Sequence, residues 1–107
     1  MNITEADFKL VDIAAEEGSI DAIASRIIIV FGKEEEPMDE QTAKDMAHRA
    51  VEVMGRITPS EVWEQGFAAA CSYHRYLRIE RKSIETGDSE LALKCRKEMD
   101  RLRMSAS

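Results

Sequence analysis

Seven residues punctuate this chain and leave it few ways to fold. Its five glycines (Gly18, Gly32, Gly55, Gly66, Gly87) and two prolines (Pro37, Pro59) stand well apart, and apolar residues between them recur at i, i+3, i+4 and i+7. That spacing gathers them on one face of an α-helix. A glycine just past such a run is a common helix stop. The one β-branched stretch, Ile27–Phe31, has no second strand elsewhere to pair with. The expected fold is therefore all-α, a small bundle of four to five helices forming a single helical domain over residues 1–107.

Thr4 and Asp7 read as a variant capping box, with Ile3 and Phe8 placed to staple it. The first helix then carries Phe8, Val11 and Ala15 on one face and stops at Gly18. Ser19 caps a second helix with Ile20, Ile23, Ala24, Ile27 and Ile28 at helical spacing, ending at Gly32. Apolar nearly all round, it is expected to be the central and most buried element. Lys33 to Pro37 is an acidic loop. Asp39 opens a third helix with Ala43, Met46, Ala47, Ala50, Val53, Met54 and Ile57 at helical spacing, its end expected at Gly55.

Thr58-Pro59-Ser60-Glu61 reads as a second capping box with proline at the first helical position. From Pro59 only Gly66 stands before Gly87, which predicts a long fourth helix of ~42 Å at ~1.5 Å per residue. A compact chain of this length has a diameter of only roughly 34 Å. The helix must overhang its globule or break near Gly66. An overhang bearing Tyr76, Ile79 and Ile84 leads to the expectation of a homodimer. Asp88 caps a fifth helix with Leu91, Cys95, Met99 and Leu102. The short Thr86-Gly87-Asp88 connection makes helices four and five an antiparallel hairpin, followed by a frayed Ser105-Ala106-Ser107 tail.

Charge is distributed unevenly along these helices. Residues 1–61 hold fourteen acids against six bases, a balance of −8, and residues 62–107 hold seven against nine, a balance of +2. A uniformly acidic chain repels nucleic acid, whereas a split one can pair with itself or with a partner of complementary pattern. The acidic candidates for a partner-binding surface are Glu34, Glu35, Glu36, Asp39, Glu40 and Asp45. The basic candidates for a nucleic-acid surface are Arg75, Tyr76, Arg78, Arg81 and Lys82 on the fourth helix, with Tyr76 available for stacking. The net charge of −6 favours the acidic set.

Residues able to carry chemistry are few. Asp45, His48 and Glu52 share one helix face, as do Cys71 and His74. Such intervals are common on any solvated helix, so no metal and no cofactor is expected, with His48 on the surface and His74 at the rim. Cys71 follows Ala68-Ala69-Ala70, a run suited to close packing, and both it and Cys95 read as buried free thiols. The sequence lacks a Gly-rich phosphate loop, a Gly-x-Ser-x-Gly elbow and a His-Glu-x-x-His pair. The expected protein is not an enzyme. The acidic N-terminus has no signal-peptide pattern, and the longest apolar run falls far short of the ~20 residues of a membrane span. A cytoplasmic location with no membrane partner is expected.

The segment from Phe8 to Ile27, an aromatic-led helix ending in Glu-Glu-Gly-Ser and followed by an alanine-bearing helix, resembles the first part of the helix-turn-helix of LysR-type regulators. That resemblance implies DNA binding through the next helix. In its place stands Ile28-Ile29-Val30-Phe31-Gly32-Lys33-Glu34-Glu35-Glu36, whose carboxylates repel the phosphates that dominate DNA affinity. The expected function is a non-catalytic, acidic, helical regulatory or adaptor protein acting on a protein partner. One form it could take is an inhibitor that occludes a nucleic-acid-binding surface, as phage-encoded anti-defence proteins do. A nucleic-acid-binding accessory protein or transcriptional regulator using the basic stretch is the alternative.

Overall fold

Helices α1 (Glu5–Glu17), α2 (Ile20–Phe31), α3 (Glu40–Ile57), α4 (Ser60–Trp63), α5 (Phe67–Thr86) and α6 (Ser89–Met104) are the only regular elements of the computed structural model, which describes residues 2–105. The fold is all-α, with six helices among the described residues rather than four or five. The chain divides into two compact units, Met1–Ile57 and Thr58–Ser107.

In the first unit α1, α2 and α3 pack against one another around Leu10, Val11, Ala14, Ile23, Ile27, Val53 and Met54, all buried. The Thr4 capping box forms: the Asp7 amide donates to Thr4 Oγ1 at 3.3 Å and the Thr4 amide donates to Asp7 Oδ2 at 2.9 Å. Gly18 closes α1 in the left-handed conformation, φ 77°. Arg49 of α3 grips the Asp7 carboxylate with two donors, Nε at 3.2 Å and Nη2 at 3.1 Å, and also donates to the Asn2 carbonyl at 3.0 Å. The Arg49 hydrogen bonds, followed by that of the Thr4 amide, hold the Asp7 carboxyl down at about 2. Phe8 leaves the expected core face and is 45% exposed.

Helix α2 is not the buried centre of the unit. It buries Ile23, Ala24 and Ile27 but leaves Ile29 69% and Val30 50% exposed. Ile29, two residues past Ile27, sits about 200° round the helix and faces away from the packed stripe, whereas Val30 follows Ile23 at i+7 on that stripe and is exposed in the last turn of the helix. Helix α3 carries the largest set of wholly enclosed residues in this unit, Ala43, Ala47, Ala50, Val53 and Met54, none with any solvent exposure. Asp39 caps α3 through the Thr42 amide at 2.8 Å. The helix runs through Gly55 to Ile57, two residues beyond its expected stop.

In the second unit the long fourth helix is broken. Helix α4 ends at Trp63, and Gly66, at φ 115° and ψ 172°, redirects the chain into α5. The ~42 Å overhang, and with it the length argument for a dimer, is replaced by this break. The Thr58 capping box does not form either: α4 starts after Pro59 without a side-chain cap. Its two members are engaged elsewhere, Thr58 Oγ1 with His74 Nε2 at 2.7 Å and Glu61 with Arg103 at 2.8 Å. Helices α5 and α6 pack extensively, and Glu80 of α5 takes Arg96 of α6 on both oxygens at 2.8 and 2.9 Å. Val62, Tyr73 and Met99 form a core cluster that Tyr76, Leu77 and Leu102 flank. Gln65 donates to the Leu102 carbonyl across the α4–α5 bend. Ser105 closes α6 by donating to the Arg101 carbonyl; Ala106 and Ser107 of the expected tail lie outside the described residues.

A β-carbon at Gly66 would meet nothing within 4 Å, so the glycine is required by its backbone angles alone. Gly66→Ala should therefore cost about 1–3 kcal/mol, the usual strain of a non-glycine residue in this region. Urea unfolding followed through Trp63 fluorescence should show a lower midpoint. An unchanged or higher midpoint would mean that α4 and α5 can join into one helix.

Candidate interaction surfaces

The six acidic candidates lie together in sequence but play different structural parts. Glu34, Glu35 and Glu36 are fully on the surface of the 33–36 turn, which Lys33 and Glu36 close with reciprocal backbone hydrogen bonds at 3.2 and 3.3 Å. Asp39 is occupied as the α3 cap, and the Thr42 amide and hydroxyl that it accepts from lower its carboxyl below the ordinary range. Glu40 pairs with Lys44 at 3.3 Å, and Asp45 accepts from Gln41 at 3.0 Å. All six remain exposed. Glu34, Glu35 and Glu36 form no side-chain hydrogen bond or ion pair among the described residues, which leaves their charge facing outward.

An open groove of about 390 Å³ lies between α2 and the start of α3, lined by Asp21, Ala24, Ser25, Ile28, Glu40 and Lys44. Sequence reasoning had placed none of its α2 residues at a surface site. With Ile23, Ala24 and Ile27 assigned inward, helical spacing turns Ser25 outward, but it does not show that α3 supplies the opposite wall.

On α5, Arg75, Arg78, Arg81 and Lys82 are exposed, and Arg75 donates to Ser72 at 3.1 Å. Tyr76 is only half exposed, because its ring packs against the Val62–Tyr73–Met99 cluster. It has less freedom to stack on a base than its position in the sequence suggested. The ion pairs of this unit engage Glu80 with Arg96, Glu98 with Arg101 and Glu61 with Arg103. The basic charge of α6 is thus partly spent within the fold.

The sequence missed two buried polar pairs. His74, expected at the rim, is 6% exposed and hydrogen-bonded to Thr58, with the Tyr73 ring edge-on at 5.5 Å. Burial, helped by the positive charge of Arg81, lowers its pKa to about 4. Glu80 is equally enclosed and held by Arg96. Cys71 and Cys95 are buried free thiols, and desolvation raises both above their ordinary value, with Glu80 adding to the rise at Cys95. Asp45, His48 and Glu52 are exposed, and among the described residues no three His, Cys, Asp or Glu side chains gather into a group able to hold a metal ion. Among the same residues no helix is long and apolar enough to cross a membrane. No known protein family, no curated protein and no solved structure matches this chain.

The state of His74 sets a pH dependence. Its folded pKa, about 4, lies below the ordinary 6.5, so the unfolded chain binds more protons between those values. Its contribution to stability is complete above 6.5 and is lost as pH falls toward 4. Urea midpoints of the second unit should decline over that interval, and a His74→Gln variant should show a flatter profile. A His74 ring that titrates near 6.5 by NMR in the folded protein would refute the assignment.

Proposed function

We propose that this protein is a non-catalytic regulatory or adaptor protein that binds a basic surface of another protein through the acidic face of its first unit. The observation that carries the reading is the exposed Glu34–Glu36 turn, set next to the acid-bearing start of α3 formed by Asp39, Glu40 and Asp45. Met1–Ile57 holds thirteen acids against six bases, whereas Thr58–Ser107 holds eight against nine, so the charge split follows the structural division closely. Carboxylates displayed in this way stand where phosphates would, which suits an inhibitor that occludes a nucleic-acid-binding surface, of the anti-defence type carried by phages. Their long-range attraction acts mainly on association rate and is screened by salt. A cytoplasmic setting fits this use.

Glu34, Glu35 and Glu36 replaced together by Gln should shift stability by no more than about 0.5 kcal/mol, as surface substitutions do. Capture from a lysate of the native cell should then lose at least tenfold of the partner, while charge reversal at Arg75, Arg78 and Lys82 leaves it in place. The reverse pattern would favour the second reading, a nucleic-acid-binding accessory protein or regulator. That alternative is supported by the four exposed bases of α5, Arg75, Arg78, Arg81 and Lys82.

We also read α5 and α6 as an antiparallel hairpin joined at Gly87-Asp88, and the chain as a homodimer whose interface includes α5. Ile79 and Ile84, 40% and 64% exposed, support an apolar contact there. Light scattering on a size-exclusion column should give twice the 12.1 kDa chain mass. A monomer at tens of micromolar would remove the dimer.

A further inference from the structure

Very little of the chain separates α4 from α5. Glu64 keeps helical angles, φ −63° and ψ −24°. The Gln65 and Gly66 amides still bond back to the Val62 and Trp63 carbonyls, each at 3.1 Å. The helix resumes at Phe67, so Gly66, at φ 115°, carries the change of direction. Glycine adopts these angles and helical ones with similar ease, which gives the position two settings, bent and straight.

The contacts that hold α4 in place are all made across this hinge. Thr58 bonds His74 of α5, Glu61 pairs with Arg103 of α6, and Val62, with no solvent exposure, shares a core cluster with Tyr73 and Met99. A helix continuous from Ser60 to Thr86 would point α4 away from these partners. Val62 and Tyr73 would then stand about 16 Å apart at ~1.5 Å per residue. A second copy with its own hinge straight supplies every partner lost. Thr58 and His74 lie eight residues either side of Gly66. Two continuous helices crossing antiparallel at Gly66 therefore bring Thr58 of each copy beside His74 of the other.

We propose that the homodimer forms by exchange of residues 58–65, with α4 of each copy seated on α5 and α6 of the other. The inference rests on the homodimer reading above and adds which residues make the interface and which joint opens to expose it. Val62 is the apolar anchor, and Glu61 with Arg103 is the charge pair that fixes its register. Exchange remakes between copies the contacts broken within each. The balance is then left to the hinge and to the entropy of association.

The test pairs two charge-reversed full chains, Glu61→Arg and Arg103→Glu. The two side chains are 35% and 49% exposed, so each variant should keep its circular dichroism. The variants are refolded together from urea and their dimers resolved by native mass spectrometry. Heterodimers should exceed the roughly one-half of random pairing, because in a mixed exchanged dimer both 61–103 pairs join opposite charges. Gly66→Ala strains the bend and suits the continuous helix, and should tighten dimerisation about tenfold or more. Random pairing of the two variants would leave the dimer standing on another surface, such as Ile79 and Ile84, and would sink the exchange. So would a Gly66→Ala chain that dimerises no better than the unaltered one. A monomer from the unaltered chain at tens of micromolar removes exchange and dimer together.

Discussion

Ala43, Ala47 and Ala50 occupy successive turns of one face of α3, and none has any surface open to solvent. With only methyl groups on that face, α1 and α2 can both come close to α3 and surround it. The rest of the first unit follows from this approach. It brings Arg49 to Asp7, so that the α1 cap is also a link between helices. It gives α2 its packing on one side through Ile23 and Ile27, and that commitment turns Ile29 toward solvent. A larger residue at any of the three alanines would have to push a helix away.

The second unit is organised by buried polar pairs rather than by a stripe of small residues. Thr58 with His74 and Glu80 with Arg96 each satisfy groups that would be costly to enclose alone. The Glu80 pair connects α5 with α6, and Glu61 with Arg103 connects α4 with α6. These pairs consume basic charge that sequence counting treats as available, whereas the loop glutamates of the first unit are left unneutralised.

Much of this architecture was legible in the residues, and its failures have physical causes. Gly18, Gly32 and Gly87 ended helices where periodicity said they should, because each is a local event governed by its own backbone. At Gly32 a β-carbon would come within 2.4 Å of the Ile28 carbonyl oxygen, so the exit from α2 in this conformation requires glycine. Gly55 did not end α3, since a glycine inside a well-packed helix costs only about 1 kcal/mol and tertiary contacts on Val53 and Met54 outweigh it. The Thr58 hydroxyl pairs with His74, 16 positions away, a partner that no local window contains. The acidic candidates were readable as exposed charge; the groove was not, because it needs the start of α3 opposite α2, a long-range arrangement.

The division at Thr58 also separates the optical and chemical reporters of the chain. Trp63, Tyr73, Tyr76, Cys71 and Cys95 all fall in the second unit, and the first contains only the phenylalanines Phe8 and Phe31 as aromatics. Indole emission, near-ultraviolet absorption and thiol accessibility are consequently properties of residues 58–107. Residues 1–57 contain no indole, no tyrosine and no thiol, and their three helices report directly through the backbone signal. A fluorescence transition that looks simple and cooperative is thus compatible with an acidic unit already molten, and coincidence of backbone and indole transitions is the condition for treating the whole chain as two-state.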